Sequence, residues 1–303
     1  MENLPHFRLR EEVQNALAQG KPVVALESTV ISHGLPPPKN LELAGEMEAV
    51  VRSGGAVPAT IALLDGCIRV GLAPDELRTL AGVNGMRKIS VRDFGPGIQA
   101  GASGGTTVAA TIFAASKVGI QVMATGGIGG VHRSPPNDVS ADLPQLARTP
   151  MVVVCAGAKA ILDLDATLEY LETWGVPVVG YRTGEFPAFY SAASGLRLTV
   201  KAETPQEAAQ IASSHWEVGN SSAVLVVAPP PAESAMPADE MWGAVGRALE
   251  DADQAGVRGQ EVTPFLLDRV SQITGGSSLA ANLALLKNNA KIASKIAVEM
   301  ARQ

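Results

Sequence analysis

Three stretches of this chain place chemically useful side chains directly after short apolar runs. In VVALESTVISHG the apolar run ends at Glu27, and Ser28, Thr29 and His33 follow. Polar groups just past the carboxyl end of a strand lie where open α/β sheets bind ligands. Glu27 is therefore a candidate general acid. A local cap or a solvated carboxylate is an equally good interpretation from position alone.

The second stretch, VVVCAGAKAILDL, leads through small residues to a lysine. We predict a strand over residues 151–155, a turn at 156–158 and a helix that begins at Lys159. A positive charge there opposes the helix dipole, and partial burial also disfavours it, so we expect Lys159 to be uncharged often enough to attack a carbonyl carbon. A lysine whose amine simply extends to solvent is the alternative.

The third stretch, MATGGIGGVHRSPPNDVSADL, is the densest in polar groups. His132, Arg133, Asp138, Ser140 and Asp142 lie within a dozen positions after four glycines. The glycines would let the backbone approach a ligand, and the two carboxylates could hold a hard cation through oxygen and water. A solvated loop with Asp142 as a helix cap is the other interpretation. GGIGG is not a dinucleotide fingerprint, because the two prolines interrupt the path into a helix.

Two further segments carry candidate binding groups. GASGGTTVAATIFAASKVG predicts a glycine turn before a helix whose first turn, which includes Thr106 and Thr107, could bind a phosphate; an ordinary turn with a threonine cap fits as well. Lys88 lies in a predicted strand and could bind phosphate or a sugar hydroxyl, or mark a sheet edge. Asn282, on a late helix with Asn288 and Asn289, could face a ligand.

The elements that must position these groups alternate along the chain. Strands are predicted over residues 23–26, 59–64, 88–91, 121–124, 151–155, 176–181 and 223–228, and helices over 1–20, 41–52, 106–118, 160–173 and 205–216. Continuously apolar strands are buried on both faces, so we expect a three-layer α/β/α fold with a largely parallel central sheet. Residues 236–303 predict only helices, which would wrap the sheet and close the site. No linker divides the chain, and we treat 1–303 as one domain.

Composition narrows the possible partners. Hydrophobic residues make up 46% and charged residues 18% of the 303 residues, and the net charge is −6 without a basic tract. These values predict a globular protein that binds a small molecule and does not bind nucleic acid. Cys67 and Cys155 lie in apolar surroundings and are too few for a disulfide framework, so we expect a cytoplasmic protein. We also expect no membrane span. A catalytic thiol is a minor alternative.

Taken together, the motifs resemble the pseudouridine-5′-phosphate glycosidase family, which is also described as indigoidine synthase A-like. The resemblance covers nearly the whole chain, in order and at similar spacing. It rests on ALESTVISHG, VPATIALLDG, TTVAAT, ATGGIGGVHR, DVSADL, VVCAGAKAILDL, TGEFPAF, TPFLLDRV and GGSSLAANLALLKNNA. One segment departs from the family, because RSPPN between His132 and Asp138 is shorter than the corresponding loop.

The resemblance implies a role for each candidate residue. Glu27 would be the proton donor and Lys159 the nucleophile that becomes attached to the anomeric carbon of the sugar. Asp138 would bind one divalent metal ion per subunit, manganese in most members, although oxygen ligands accept magnesium too. Substrate-binding positions would be Lys88, Thr107, Val108, His132, Ser140, Ala141, Asp142 and Asn282. The family also implies a homotrimer.

The implied reaction splits the C–C bond between uracil and ribose 5-phosphate through a covalent lysine adduct at C1′, and it is reversible. A Schiff-base lyase or aldolase for another sugar phosphate would equally need an amine and an anion site. A nucleotide-binding protein without catalytic activity is a third possibility. Incubation with pseudouridine 5′-phosphate, and borohydride trapping at Lys159, distinguish these alternatives.

Overall fold

The computed structural model describes residues 4–83, 85–133, 138–259 and 262–303. Its strands are β1 (Phe7–Leu9), β2 (Val23–Leu26), β3 (Val57–Leu64), β4 (Cys67–Val70), β5 (Arg87–Ile89), β6 (Gly104–Thr106), β7 (Val122–Ala124), β8 (Val152–Cys155), β9 (Val178–Tyr181), β10 (Val200–Ala202) and β11 (Val224–Val227). Its helices are α1 (Glu11–Ala18), α2 (Lys39–Ser53), α3 (Pro74–Gly82), α4 (Phe94–Gln99), α5 (Val108–Lys117), α6 (Asp142–Leu146), α7 (Leu164–Thr173), α8 (Pro205–Glu217), α9 (Ala238–Gln254), α10 (Val262–Ile273) and α11 (Ser277–Met300). A π-helical turn at Val30–Gly34 and a 3-10 turn at Val91–Asp93 complete the elements.

The strands form one 11-stranded sheet in the order β1-β4-β3-β2-β7-β8-β11-β9-β10, and β5 joins it through β6, which pairs with β3. Only β3 with β4 and β3 with β6 pair antiparallel among the described strands. Every residue of β2, β7, β8 and β11 is buried. Such strands need cover on both faces, and the predicted α/β fold with a largely parallel sheet is confirmed.

The predicted strands are all present, with ends that differ by one or two residues. Four short strands were not predicted: β1, β4, β6 and β10. β6 is Gly-Gly-Thr, which has little intrinsic strand preference and is ordered by pairing with β3 and β5. The single helix predicted over residues 1–20 is wrong, because Phe7–Leu9 pairs with β4 and the helix covers only Glu11–Ala18.

Two helices begin later than predicted, and both corrections concern the candidate site. α5 begins at Val108, after Thr107 caps it by accepting the Ala110 N–H at 3.3 Å. α7 begins at Leu164, because the Asp163 carboxylate accepts the Ala166 N–H at 3.0 Å. Lys159 therefore lies in a loop, and the prediction that it begins a helix is wrong.

The C-terminal region is helical as predicted, and its longest helix belongs to the core. α11 packs on β2, β7 and β8 and also contacts α2 and α8. α10 contacts α9, α11 and the π-helical turn at Val30–Gly34. Among the described residues, no helix has the length and apolar character needed to cross a bilayer.

Candidate active site

The candidate site lies at the carboxyl ends of three adjacent parallel strands. β2 pairs with β7 and β7 with β8, so that Leu26, Ala124 and Val154 are in register. Glu27 follows β2 directly, and the loops after β7 and β8 carry the glycine-rich segment and Lys159. Parallel pairing brings these chain ends to one edge of the sheet.

Glu27 is 7% exposed and is held by two hydroxyl groups. The Thr125 hydroxyl donates to Glu27 Oε1 at 2.6 Å, and the Thr29 hydroxyl donates to Oε2. Hydrogen bonds to both oxygens satisfy the buried carboxylate and fix its plane. Glu27 is therefore a positioned acid group, and the interpretation as a solvated carboxylate is wrong.

Lys159 is positioned by backbone pairing between the loops after β7 and β8. The Ile128 N–H donates to the Gly157 carbonyl at 3.1 Å, and the Lys159 N–H donates to the Ile128 carbonyl at 3.1 Å. The side chain of Lys159 is half-buried and borders two connected cavities. Lys159 does not begin a helix, so no helix dipole bears on its charge in the way predicted. The pairing of the two loops brings the amine to the site.

Packing within the protein explains two of the four glycines of GGIGG. A Cβ on Gly127 would lie 2.6 Å from Phe189 Cδ2, and a Cβ on Gly129 would lie 2.6 Å from Ser140 Cβ. Neither glycine has a positive φ. Close approach of side chains, rather than an unusual backbone conformation, requires glycine at these two positions.

Asp142 joins the first turn of α5 to the glycine-rich loop. Its Oδ1 accepts the Ala109 N–H at 2.8 Å and its Oδ2 accepts the Gly129 N–H at 2.8 Å. The side chain is buried, and Asp142 begins α6 while its carboxylate caps α5. The Ala109 and Ala110 donors at the start of α5 are thus bound within the protein and are not available to a phosphate.

Lys88 faces the same cluster of charges. Burial, and then the nearby charge of Lys159, lower the pKa of Lys88, while Asp142 and Glu27 partly oppose that shift. β5, which carries Lys88, pairs only with β6 in the part of the chain described, so it is also an edge strand. The edge-strand interpretation of Lys88 is therefore confirmed, and a contact with phosphate or a sugar hydroxyl stays a prediction.

His132 and Asp138 line the same cavity as Lys88. His132 Nδ1 is 3.9 Å from Asp138 Oδ2, and the His132 N–H donates to the Asp138 carbonyl at 2.9 Å. Burial lowers the pKa of His132, Asp138 raises it, and the two lysines lower it. Residues 134–137, which make up most of the shortened RSPPN loop, lie outside the described residues.

The site has two connected lobes that differ in polarity. The polar lobe, of about 1740 Å³, is lined by groups that include Lys88, Arg92, Val108, His132, Asp138, Ser140 and Arg148. The apolar lobe, of about 560 Å³, is lined by groups that include His33, Gly126, Gly127, Phe189, Pro264, Asn282 and Leu286. Glu27, Thr29, Lys88, Lys159 and Thr263 border both lobes.

The predicted site residues therefore converge on this pair of lobes. Glu27, Lys88 and Lys159 lie at the junction; Thr107, Val108, His132, Asp138, Ser140, Ala141 and Asp142 line the polar lobe, and Asn282 the apolar one. Sequence reasoning missed Thr125 and Phe189. Thr125 follows β7 directly, so the rule that singled out Glu27 also applied to it.

The cysteines take no part in this site. Cys155 is fully buried at the end of β8, and burial raises the pKa of its thiol to about 12. A thiol that stays protonated and enclosed is a poor nucleophile. Cys67 is half-buried on β4, and neither cysteine lines the two lobes.

The donor set for a metal is sparse. Asp138 offers a carboxylate whose side chain is 43% exposed, and within the described ranges no group of three or more His, Cys, Asp or Glu side chains is arranged to hold an ion. A single carboxylate supplemented by water and backbone oxygens suits a hard divalent cation of the Mg²⁺ or Mn²⁺ type. The residues present fit an ion that keeps most of its water.

Comparisons with known proteins identify close relatives. A family model described as Indigoidine synthase A like protein matches residues 12–299. A pseudouridine-5′-phosphate glycosidase of Herpetosiphon aurantiacus is 53% identical over 96% of this chain and 97% of its own. One of Caldanaerobacter subterraneus subsp. tengcongensis is 49% identical over 96% of both chains.

A solved structure extends this similarity to three dimensions. The prealnumycin C-glycosynthase AlnA, in complex with ribulose 5-phosphate, superimposes with a TM-score of 0.91. It is 38% identical and covers 98% of each chain. Sheet, helices and C-terminal region therefore share one arrangement in the two proteins.

Proposed function

The chain belongs to the family of indigoidine synthase A-like proteins, and from that premise we propose that it is a pseudouridine-5′-phosphate glycosidase. It cleaves the C–C bond of pseudouridine 5′-phosphate to give uracil and ribose 5-phosphate. The relatives with that name match nearly the full length of the chain.

One observation carries the proposal at the level of the site: Glu27 and Lys159 border both the polar and the apolar lobe. A substrate with a phosphate at one end and a base at the other would place its anomeric carbon at this junction. Ribulose 5-phosphate, bound by AlnA, is a related sugar phosphate.

The two lobes suit the two ends of the substrate. Lys88 and the rim arginines Arg92 and Arg148 supply positive charge for the 5′-phosphate in the polar lobe. Phe189 and Leu286 offer apolar contacts to the uracil ring, and the Asn282 amide can pair with its edge. Phosphate binding holds the reacting carbon at the junction, so unphosphorylated pseudouridine is a poor substrate.

The bond to be broken explains why an amine is needed. Uracil leaves through carbon C5, which has no lone pair to protonate at the cleaved bond, so the carboxylate pair of an ordinary glycosidase does not suffice. Opening the furanose provides another route. Glu27 would donate a proton to the ring oxygen as the C1′–O bond breaks, while electrons from the uracil ring form a C1′=C5 double bond.

The Lys159 amine then adds to C1′, and the electron pair of the double bond returns to the uracil ring. Once C5 has gained a proton, the nitrogen lone pair forms a C=N bond to C1′ as the C1′–C5 bond breaks. The electron pair of the broken C1′–C5 bond passes into the uracil carbonyl system. Water hydrolyses the imine to ribose 5-phosphate and frees the amine, so the sum is substrate plus water to uracil plus ribose 5-phosphate. This Schiff-base chemistry uses the Lys159 amine as the nucleophile.

Asp138 would hold a divalent cation in the polar lobe, where the ion would supply a fixed positive charge and ordered water. His132, whose lowered pKa keeps it neutral near neutral pH, can donate a hydrogen bond without adding charge. Ser140 and the Ala141 backbone complete the polar wall.

Incubation with pseudouridine 5′-phosphate and MnCl₂ tests the proposal. We expect release of uracil and ribose 5-phosphate, and borohydride should trap a sugar adduct at Lys159 that peptide mass analysis locates. Lys159→Ala should abolish turnover and trapping, whereas Lys117→Ala, an exposed lysine on α5, should retain both. Inactivity of the wild-type protein with added manganese would overturn the function, and full turnover of Lys159→Ala would remove the nucleophile.

The reverse reaction and the assembly are tested separately. Uracil and ribose 5-phosphate should yield pseudouridine 5′-phosphate, since each step above is reversible, and chromatographic detection of the C-nucleotide checks this. We also propose a homotrimer, as the family resemblance implies. Light scattering that gave the mass of a single chain would contradict it.

A further inference from the structure

Three asparagines on α11 occupy different surroundings. Asn282 lines the apolar lobe, and Asn288 is half-buried with its amide 3.5 Å from the Pro229 carbonyl. Asn289 is fully buried and donates from Nδ2 to the carbonyls of Thr125 at 2.8 Å and Gly126 at 3.3 Å. Asn289 therefore ties α11 to the loop that follows β7.

Thr125 is held by its backbone on both sides of that loop. Its N–H donates to the Val154 carbonyl of β8 at 3.0 Å, and its carbonyl accepts from Asn289. Threonine has few χ1 rotamers, so a fixed backbone largely determines where its hydroxyl points. That hydroxyl donates to Glu27 Oε1 at 2.6 Å.

The other end of the Asn289 amide is unsatisfied. Its Oδ1 is buried and has no hydrogen-bond partner within the described residues. An unpaired buried carbonyl is destabilising, and a leucine of similar volume would avoid that cost. The two donated hydrogen bonds are thus the physical reason for an amide at this position.

We propose that Asn289 is a positioning residue for Glu27. It fixes the Thr125 backbone, and the Thr125 hydroxyl then holds the Glu27 carboxyl where the two lobes meet. The inference rests on the proposed function, in which Glu27 gives a proton to the sugar ring oxygen. It makes α11 part of the catalytic geometry as well as part of the core.

Misplacing a catalytic group by about 1 Å costs about 10²-fold in rate. In the proposed function other side chains of the two lobes hold the phosphate and the base, so substrate binding should change less than the rate. We therefore expect Asn289→Leu to lower kcat by about 10- to 100-fold and to change KM less than about twofold. Asn288→Leu, the neighbouring position on the same helix, should keep both constants.

Two further variants separate positioning from a general loss of structure. Thr125→Val removes the hydroxyl at constant shape and should lower kcat like Asn289→Leu, while Thr125→Ser, which keeps the hydroxyl, should restore most of the activity. Thermal unfolding gives the folded fraction. Trapping at equilibrium with ribose 5-phosphate and borohydride tests whether the two lobes and Lys159 are intact. The final amount of trapped adduct does not depend on how fast a proton donor acts.

A double-mutant cycle with Glu27→Gln gives the decisive result. If Asn289 acts through Glu27, Asn289→Leu should have little effect on the residual rate of Glu27→Gln. Additive losses would overturn the inference, as would full kcat in Asn289→Leu or equal losses in Thr125→Ser and Thr125→Val. Failure of the proposed function is distinct, since the wild-type protein would then neither cleave pseudouridine 5′-phosphate nor form the trapped adduct.

Discussion

At the residue scale, the site combines two amines with carboxylates in a partly buried space. Burial, and then the charge of Lys159, lower the pKa of Lys88, and Asp142 and Glu27 oppose the shift. In the proposed function Lys88 serves as a cation for the phosphate and Lys159 as the nucleophile.

Loss of the positive charge on Lys88 should limit kcat/KM at alkaline pH. Only the charged amine pairs with phosphate, and its lowered pKa means that the charge is lost at a lower pH than in an ordinary lysine. We expect kcat/KM for pseudouridine 5′-phosphate to fall as pH rises through that range, because kcat/KM reports groups of the free enzyme. Lys88→Arg, which stays charged, should move the fall to higher pH.

Lys88→Ala should lower kcat/KM by about 10- to 100-fold, from the about 1.5–3 kcal/mol of a hydrogen bond to a charged group. With unphosphorylated pseudouridine the same substitution should have little effect, which provides the control. An equal loss with both substrates would show that Lys88 does not contact the phosphate.

Asp138 should determine metal binding. In the proposed function its carboxylate holds the ion, so Asp138→Asn should lose most binding of Mn²⁺ as followed by the electron paramagnetic resonance signal of the free ion. Asp165→Asn, on the exposed face of α7, is the matched control and should bind normally. Unchanged Mn²⁺ affinity in Asp138→Asn would show that other residues bind the ion.

At the element scale, the loop after β7 is fastened to helices on either side and pairs with the loop after β8. Asp142 connects the first turn of α5 to Gly129, Asn289 connects α11 to Thr125, and the backbone of Ile128 pairs with the loop of Lys159. Each connection uses a buried donor or acceptor that would otherwise be unsatisfied. The helices that cover the sheet therefore order the loop after β7, and that loop in turn pairs with the loop that carries Lys159.

Asp142→Asn should weaken one of these connections. An amide nitrogen would face a backbone N–H, and we expect a loss of about 1–3 kcal/mol in the free energy of unfolding together with a lower kcat/KM. Asp163→Asn, at the cap of α7, should change stability by only about a few tenths of a kcal/mol, since asparagine and aspartate cap helices equally well. Urea unfolding and steady-state kinetics measure both; wild-type behaviour of Asp142→Asn would contradict the connection.

At the scale of the whole molecule, α11 holds the fold together and borders the site. It packs on the three strands whose ends carry Glu27, Thr125 and Lys159, and it contacts α2 near that helix's C-terminus. A Cβ on Gly54 would lie 2.6 Å from Ser294 Cβ on α11. Gly54 therefore sets how closely the end of α2 approaches α11.

Gly54→Ala should destabilise the protein by about 1–3 kcal/mol, because an extra carbon has no room in a packed contact. Gly45→Ala, in the exposed middle of α2 with nothing near its Cβ, should instead stabilise it by about 0.5–1 kcal/mol. Adding Ser294→Gly to Gly54→Ala should recover stability if the contact is the cause. Thermal and urea unfolding give the comparison, and a stable Gly54→Ala protein would disprove close docking.

Local pattern was enough to predict the sheet and several members of the site. The continuously apolar runs before Glu27 and before Ala156 predicted buried parallel strands, and polar residues at their carboxyl ends predicted the ligand-binding edge. These features depend on neighbours in the chain, so periodicity and strand direction suffice. Strands such as β6 escaped prediction because their pairing partners, rather than their residues, order them.

Contacts between distant segments were decided only by the tertiary structure. Thr125 and Glu27 are 98 positions apart, and Asn289 and Thr125 are 164 apart, yet their hydrogen bonds determine where the acid group lies. The sequence by itself singled out Lys159 but attributed its position to a helix that begins five residues later. The motifs therefore determined which side chains carry chemistry. Sheet pairing and helix packing decided which of those side chains meet, because hydrogen bonds depend on distance in space and not on spacing along the chain.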